Sequence, residues 1–193
     1  MRPGSTSPLA QRLHAGTLTI GEAFAFMSSL YFRGKAAYAD RFAGQGTPGR
    51  AAYVITPTRG LQPLDALVSE PLLREFASTD IASAGDAFRE PLARDLITLD
   101  GRLTPAGTVV LLGSIATSKY VDVLTGVLGP RLYYPPSFIG RGDMSRGGLL
   151  LRQATSGEEL DYVPLELSSI RRGPRPPKLV PLPRGARVEA TRG

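Results

Sequence analysis

The chain has 193 residues, of which 42% are hydrophobic and 21% charged, which excludes wholesale disorder and is enough for one sizeable core. It holds no cysteine and a single histidine, His14, so disulfides, thiol chemistry and Cys- or His-rich metal sites are excluded and no cofactor is implied. The formal charge of +6 sits at one end, where Arg171, Arg172, Arg175, Lys178, Arg184, Arg187 and Arg192 face only Glu189, and the rest of the chain is neutral.

Residues 1–8 are rich in Gly, Ser and Pro and read as a flexible N-terminus. Met1 to Ile20 lacks the apolar stretch of a signal peptide, and no apolar run reaches about eighteen residues, so a cytoplasmic protein without membrane insertion is expected. Ser7-Pro8 has the form of an N-cap followed by proline at the first helical position, opening a short helix on which His14 is solvated. Thr19 to Glu22 has the form of a capping box, and Phe24, Met27, Leu30 and Tyr31 then recur at helical spacing as a core stripe. Arg33, Lys35 and Tyr38 continue the segment toward Gly44, with Gly34 permitting a kink or a close approach.

Ala52 to Thr56 is short and β-branched and reads as a strand, entering a polar loop over Thr56 to Gly60. Helices are expected over Glu70–Ala77 and Pro91–Leu99. Thr108 to Leu112 is the strongest strand signal, followed by a Gly113-Ser114 turn and a helix over Ile115–Leu128. Arg131 to Tyr134 reads as a further strand, Gly140 to Gly148 as a glycine-rich loop, and Leu149–Arg152 and Leu160–Val163 as edge strands. Strands alternating with helices predict a single three-layer α/β domain over residues 9–170, a mostly parallel sheet flanked by helices. Residues 171–193 read as a flexible basic tail whose prolines favour extended, polyproline-like backbone.

Ligands of such sheets lie beyond the C-terminal strand ends, which singles out three loops. These offer Thr56 and Arg59; Ser114 and Lys119; and Arg141, Asp143, Ser145 and Arg146. Gly113-Ser114 ahead of a helix is suited to an anion, although neither the Walker A nor the GxGxxG spacing is present and a plain turn explains it equally. Two arginine forks among the glycines of 140–148 suit phosphate, and Asp143 is the candidate general acid or base; an Asp143–arginine ion pair fixing a turn is the structural alternative. Phosphates, as nucleotide or nucleic acid, are therefore the expected ligand, with nucleoside or glycosidic-bond chemistry as an extension. The alternative is a noncatalytic interaction protein whose tail docks a protein partner. Whether the chain is an enzyme, and its oligomeric state, stay open at this level.

Across Tyr31 to Arg152 the chain resembles an uncharacterised bacterial α/β family, on the words Tyr-Phe-Arg-Gly-Lys (31–35), Ile-Thr-Pro-Thr-Arg-Gly-Leu (55–61), Leu-Leu-Gly-Ser-Ile-Ala-Thr-Ser-Lys-Tyr (111–120) and Gly-Arg-Gly-Asp-Met-Ser-Arg-Gly-Gly-Leu (140–149). More remotely, the helical Tyr38-Ala39 segment, the Ile55 strand running into Arg59-Gly60-Leu61 and the turn at Val109 to Gly113 are similar to YaaA-like proteins, which implies an α/β protein linked to nucleic-acid protection. The same strand and turn resemble uracil-DNA glycosylase-like folds, which extrude a base and cleave its glycosidic bond. The water-activating motif and the His-Pro-Ser segment of that family are missing here, so the likeness implies a fold and no catalytic residues.

Overall fold

A computed structural model describes residues 7–28, 30–43, 51–115, 118–166 and 173–179, without the side chains of 118 and 119. The N-terminal helices form where the caps place them. Helix α1 (Pro8–His14) has Ser7 as its N-cap, accepting from the Ala10 amide, and His14 is its exposed last residue. Helix α2 (Ile20–Met27) opens on a complete capping box: Glu22 Oε2 accepts from the Thr19 amide at 3.0 Å, and Thr19 Oγ1 accepts from the Glu22 amide. Helix α3 (Leu30–Ala43) follows directly. The expected core stripe holds at Tyr31 and fails at Met27, which ends α2 largely exposed.

A hairpin of β1 (Tyr53–Ile55) and β2 (Leu61–Pro63) comes next, pairing Val54 with Gln62. Helices α4 (Glu70–Ser78) and α5 (Asp86–Asp100) lead to β3 (Val109–Val110), α6 (Ser118–Leu128) and β4 (Leu132–Tyr134). Strands β3 and β4 are parallel with α6 as their crossover, and β5 (Val163–Pro164) adds antiparallel to β4. Helix α7 (Asp143–Ser156) lies between β4 and β5.

The three-layer, mostly parallel sheet is thus overturned. The described residues form seven helices around two small sheets, of two and three strands, and only β3–β4 is parallel. Part of the difference is that β1, read as a strand of the main sheet, pairs antiparallel with β2 in a hairpin of its own, and two misreadings around α7 account for more of it. Gly140 to Gly148 is not a loop, because Asp143 begins α7, and Leu149 to Arg152 is its third turn, not an edge strand. A short apolar run looks alike in a buried strand and a buried helix. The burial of Arg146, Gly147 and Leu150 at spacings of one, three and four residues shows the helical period. Among the described residues no helix is long and apolar enough to cross a membrane.

The core has three parts. Phe88, Leu92 and Leu96 of α5 pack with Val121, Leu124 and Leu128 of α6 over Leu132 of β4. Leu13, Leu18, Ile20, Val54 and Phe76 join the N-terminal helices to the hairpin and α4. Tyr31 and Tyr38 of α3 meet Phe138 and Leu150 in the third part, where α3 and α7 cross. At this crossing both helices expose backbone: a side-chain carbon at Gly34 would lie 2.6 Å from the Gly147 carbonyl oxygen, and one at Gly147 would lie 2.6 Å from that of Leu30. Two small residues facing each other let the helices approach closely.

Tyr38 ties the far end of this pair. The Leu160 amide donates to Tyr38 Oη at 2.7 Å; Tyr38 and Tyr162 share a 2.6 Å hydrogen bond, and the Tyr162 hydroxyl donates to Glu159. A Tyr38→Phe variant takes its partner from the partly buried Leu160 amide, while Tyr162 keeps Glu159, and a polar group left unpaired away from water costs about 1–3 kcal/mol. Urea unfolding is expected to show a loss in that range; a loss below about 0.5 kcal/mol contradicts the role given to this chain of hydroxyls.

Candidate functional site

The close crossing of α3 and α7 brings Tyr31 and Lys35, one turn apart on α3, against Asp143 and Arg146 of the first turn of α7. Tyr31 is the hub. Its ring lies under two cations, with Lys35 Nζ 4.1 Å and the Arg146 guanidinium carbon 5.8 Å from the ring centroid. Phe138 meets the same ring edge-on at 6.1 Å and also sits 5.9 Å from the guanidinium. The Tyr31 hydroxyl donates to the Leu112 carbonyl at 3.0 Å, and Tyr120 of α6 donates to the Ser114 carbonyl at 2.8 Å. Both tyrosines thus fasten the turn after β3, and Tyr120 lies so close over Gly113 that a side-chain carbon there would be 2.6 Å from its hydroxyl.

The charges do not balance. Arg146 is 8% exposed; its Nε donates to the Phe138 carbonyl and its Nη1 reaches Asp143 Oδ1 at a long 3.4 Å. Among the described residues Asp143, with a side chain 64% exposed, is the carboxylate that bears on Lys35, and Arg146 opposes it. Burial therefore dominates at Lys35 and pushes its ammonium down to about 8, Asp143 offsetting the shift and Arg146 adding to it. Burial also raises the hydroxyls of Tyr31 and Tyr120, which stay protonated and act as donors. Two cations and one exposed carboxylate, at the start of a 14-residue helix whose N-cap Gly142 has no side-chain cap bond, make a net-positive cluster suited to an anion.

The site residues named from sequence fall into two groups. Arg146, Asp143 and the Ser114 turn meet here, joined through Tyr31 and Tyr120. Arg141 stands at the rim, its Nε donating to the Ser137 carbonyl and its Nη1 to Ser145 Oγ. Ser145 is accordingly a rim partner of Arg141, while Ser137 Oγ is buried without a hydrogen-bond partner. The side chain of Lys119, like most of the basic tail, lies outside the described residues.

Thr56 and Arg59 belong elsewhere. Thr56 is fully buried, its hydroxyl donating to the Gly60 carbonyl and accepting from the Arg59 amide, so it closes the hairpin turn. Arg59 spends its fork on Glu75, donating from Nε at 2.8 Å and Nη2 at 2.6 Å, and Thr58 donates to the same carboxylate. These donors hold Glu75 down to about 2. An open groove of about 650 Å³ lies there, lined by Thr58, Arg59, Gln62, Leu72, Glu75 and Arg94, with its charges already paired.

Lys35, Tyr31 and Tyr120 were not among the residues singled out. Their signal was present: Tyr31, Gly34, Lys35 and Tyr38 recur at spacings of three and four, which puts a cation on the face that a glycine opens to another helix. Comparison of the chain with protein-family models, with curated proteins and with solved structures finds no match.

Proposed function

We propose that this chain binds a phosphate-bearing ligand, a nucleotide or nucleic acid, at the crossing of α3 and α7. The observation that carries the reading is the pair of cations, Lys35 and Arg146, set on one tyrosine ring with a single exposed carboxylate between them. Holding an ammonium in partial burial costs stability unless a ligand anion offsets it. In this reading Lys35 and Arg146 hold the phosphate, the N-terminal amides of α7 and the rim Arg141 add donors, and Asp143 accepts from a sugar hydroxyl or base amine.

The pH dependence follows from Lys35. In the free protein its ammonium is lost as pH rises through about 8, whereas a bound phosphate favours the charged form and raises that value. Binding above pH 8 therefore takes up a proton. Affinity for a nucleoside diphosphate, whose own phosphates are ionised throughout, is expected to be flat from pH 7 to 8 and then to fall by up to about tenfold per pH unit. Calorimetric titration between pH 7 and 9.5 checks this, and an affinity that stays level across the range, or survives Arg146→Gln, contradicts the proposal.

A further inference from the structure

The described part of the tail, residues 173–179, reads Gly-Pro-Arg-Pro-Pro-Lys-Leu and forms neither helix nor strand. Pro174, Pro176 and Pro177 fix their own backbone near the polyproline II value, and Arg175 and Pro176, each preceding a proline, are pushed to the same region. That conformation has three residues per turn, so its side chains form three rows. Residues 173–179 touch the folded body at three places along their length. Gly173 lies against Ile139, where an added side-chain carbon would come within 2.7 Å, and Leu179 lies 3.6 Å from where one would sit on Gly148. Pro176, midway in that row, is half-buried. The next row over, Arg175 and Lys178, is exposed. Between the two anchors the Pro174 carbonyl occupies the space that any side chain at Gly140 would need.

Residues 173–179 therefore lie as a docked rod against Ile139, Gly140 and Gly148, at the start of α7. Arg175 and Lys178 stand on one side of it, three residues and so about 9 Å apart. We infer that this rod is a docking edge for a single nucleic-acid strand, with exposed Arg175 and Lys178 each taking a backbone phosphate while a further phosphate of the same strand meets the Lys35–Arg146 pair. The inference rests on the phosphate reading of that cluster and names its ligand as a polyanionic strand. A rigid row of cations at fixed spacing suits a periodic line of phosphates, and the lack of an aromatic in 173–179 means that the edge follows backbone and not base.

The test compares a nucleoside diphosphate with a labelled 20-nucleotide single strand across a salt series, using the full chain, Arg175→Gln/Lys178→Gln and Leu179→Ser. The double variant is expected to bind the diphosphate as the parent does, and to bind the strand with a salt slope smaller by about 1.4, two phosphate contacts at about 0.7 each. Leu179→Ser keeps every charge but removes the rod's apolar contact at Gly148, and is expected to weaken the strand at least threefold with the diphosphate unaffected. Strand affinity and slope unchanged in both variants overturn the inference and leave the cluster reading standing. Equal binding of poly-glutamate of the same charge also overturns it, by pointing to an acidic protein instead. If Arg146→Gln and Lys35→Met leave both ligands bound as before, the cluster reading itself fails.

Discussion

Gly147→Ala is expected to destabilise the chain by more than about 3 kcal/mol and to abolish ligand binding with it, while Gly148→Ala, one residue along the same helix, is expected to stabilise. At Gly147 an added carbon meets the Leu30 carbonyl at 2.6 Å and the Tyr31 Cα at 2.8 Å, and none of these atoms is the end of a flexible side chain. Helices α3 and α7 have to separate, and overpacking costs typically about 1–3 kcal/mol and more where, as here, only backbone atoms could give way. At Gly148 the same carbon meets Leu179 at 3.6 Å, an ordinary contact, so the change keeps the benefit of roughly 0.5–1 kcal/mol that alanine has over glycine within a helix. Urea midpoints for the two variants decide the matter. A Gly147→Ala loss below about 1 kcal/mol means that the helices do not meet through backbone, and that the juxtaposition of Lys35 with Arg146 needs another cause.

Lys35→Met carries the second large effect, because stability and binding should move in opposite directions. The depressed value at Lys35 means that the folded chain holds fewer protons than the unfolded chain between about pH 8 and the ordinary lysine value. Stability of the parent thus rises with pH across that window, and the cost of the ammonium is fully present below it. Methionine keeps the length and packing of the side chain and removes the charge. At pH 7 the variant should be more stable by about 1–2 kcal/mol, a discount on the full linkage value for a half-buried group. It should lack the parent's rise above pH 8 and bind a nucleoside diphosphate at least tenfold more weakly. Loss of stability in Lys35→Met would show instead that the ammonium is a structural contact, and would remove the main support for an anion site.

Both effects trace to features that were partly legible in the sequence. The caps at Ser7-Pro8 and Thr19–Glu22 were readable because they are local: a side chain and an amide three residues apart settle them. Strand β3 with its Gly-Ser turn and the following helix was readable for the same reason. Helix α7 was not, because Gly140, Gly142, Gly147 and Gly148 have three different tasks in one short stretch. Gly140 has a positive φ of 73° and admits the tail, Gly142 is the N-cap, and Gly147 touches another helix. Only the first of these is a loop role, and nothing local distinguishes it from the others. Arg146 and Asp143 stood out because they sit among those glycines, whereas Lys35 read as one more polar position of α3 until α7 was laid across it. Arg59 lies apart from this cluster, and its pairing with Glu75, sixteen residues on, was not legible because it joins two elements.

Lys35, Lys119 and Lys178 are the only lysines in the chain, so labelling at lysine Cε yields three signals in a nuclear magnetic resonance spectrum, and Lys35→Met assigns the one of interest. Titrating that signal with pH, with and without a nucleoside diphosphate, reads the cluster itself. A midpoint near 8 in the free chain that moves upward when the ligand is added is the expected result, with the other two lysines little changed. A Lys35 signal that titrates near the ordinary lysine value of about 10.4 and ignores the ligand would show that no buried, anion-seeking ammonium exists at the α3–α7 crossing.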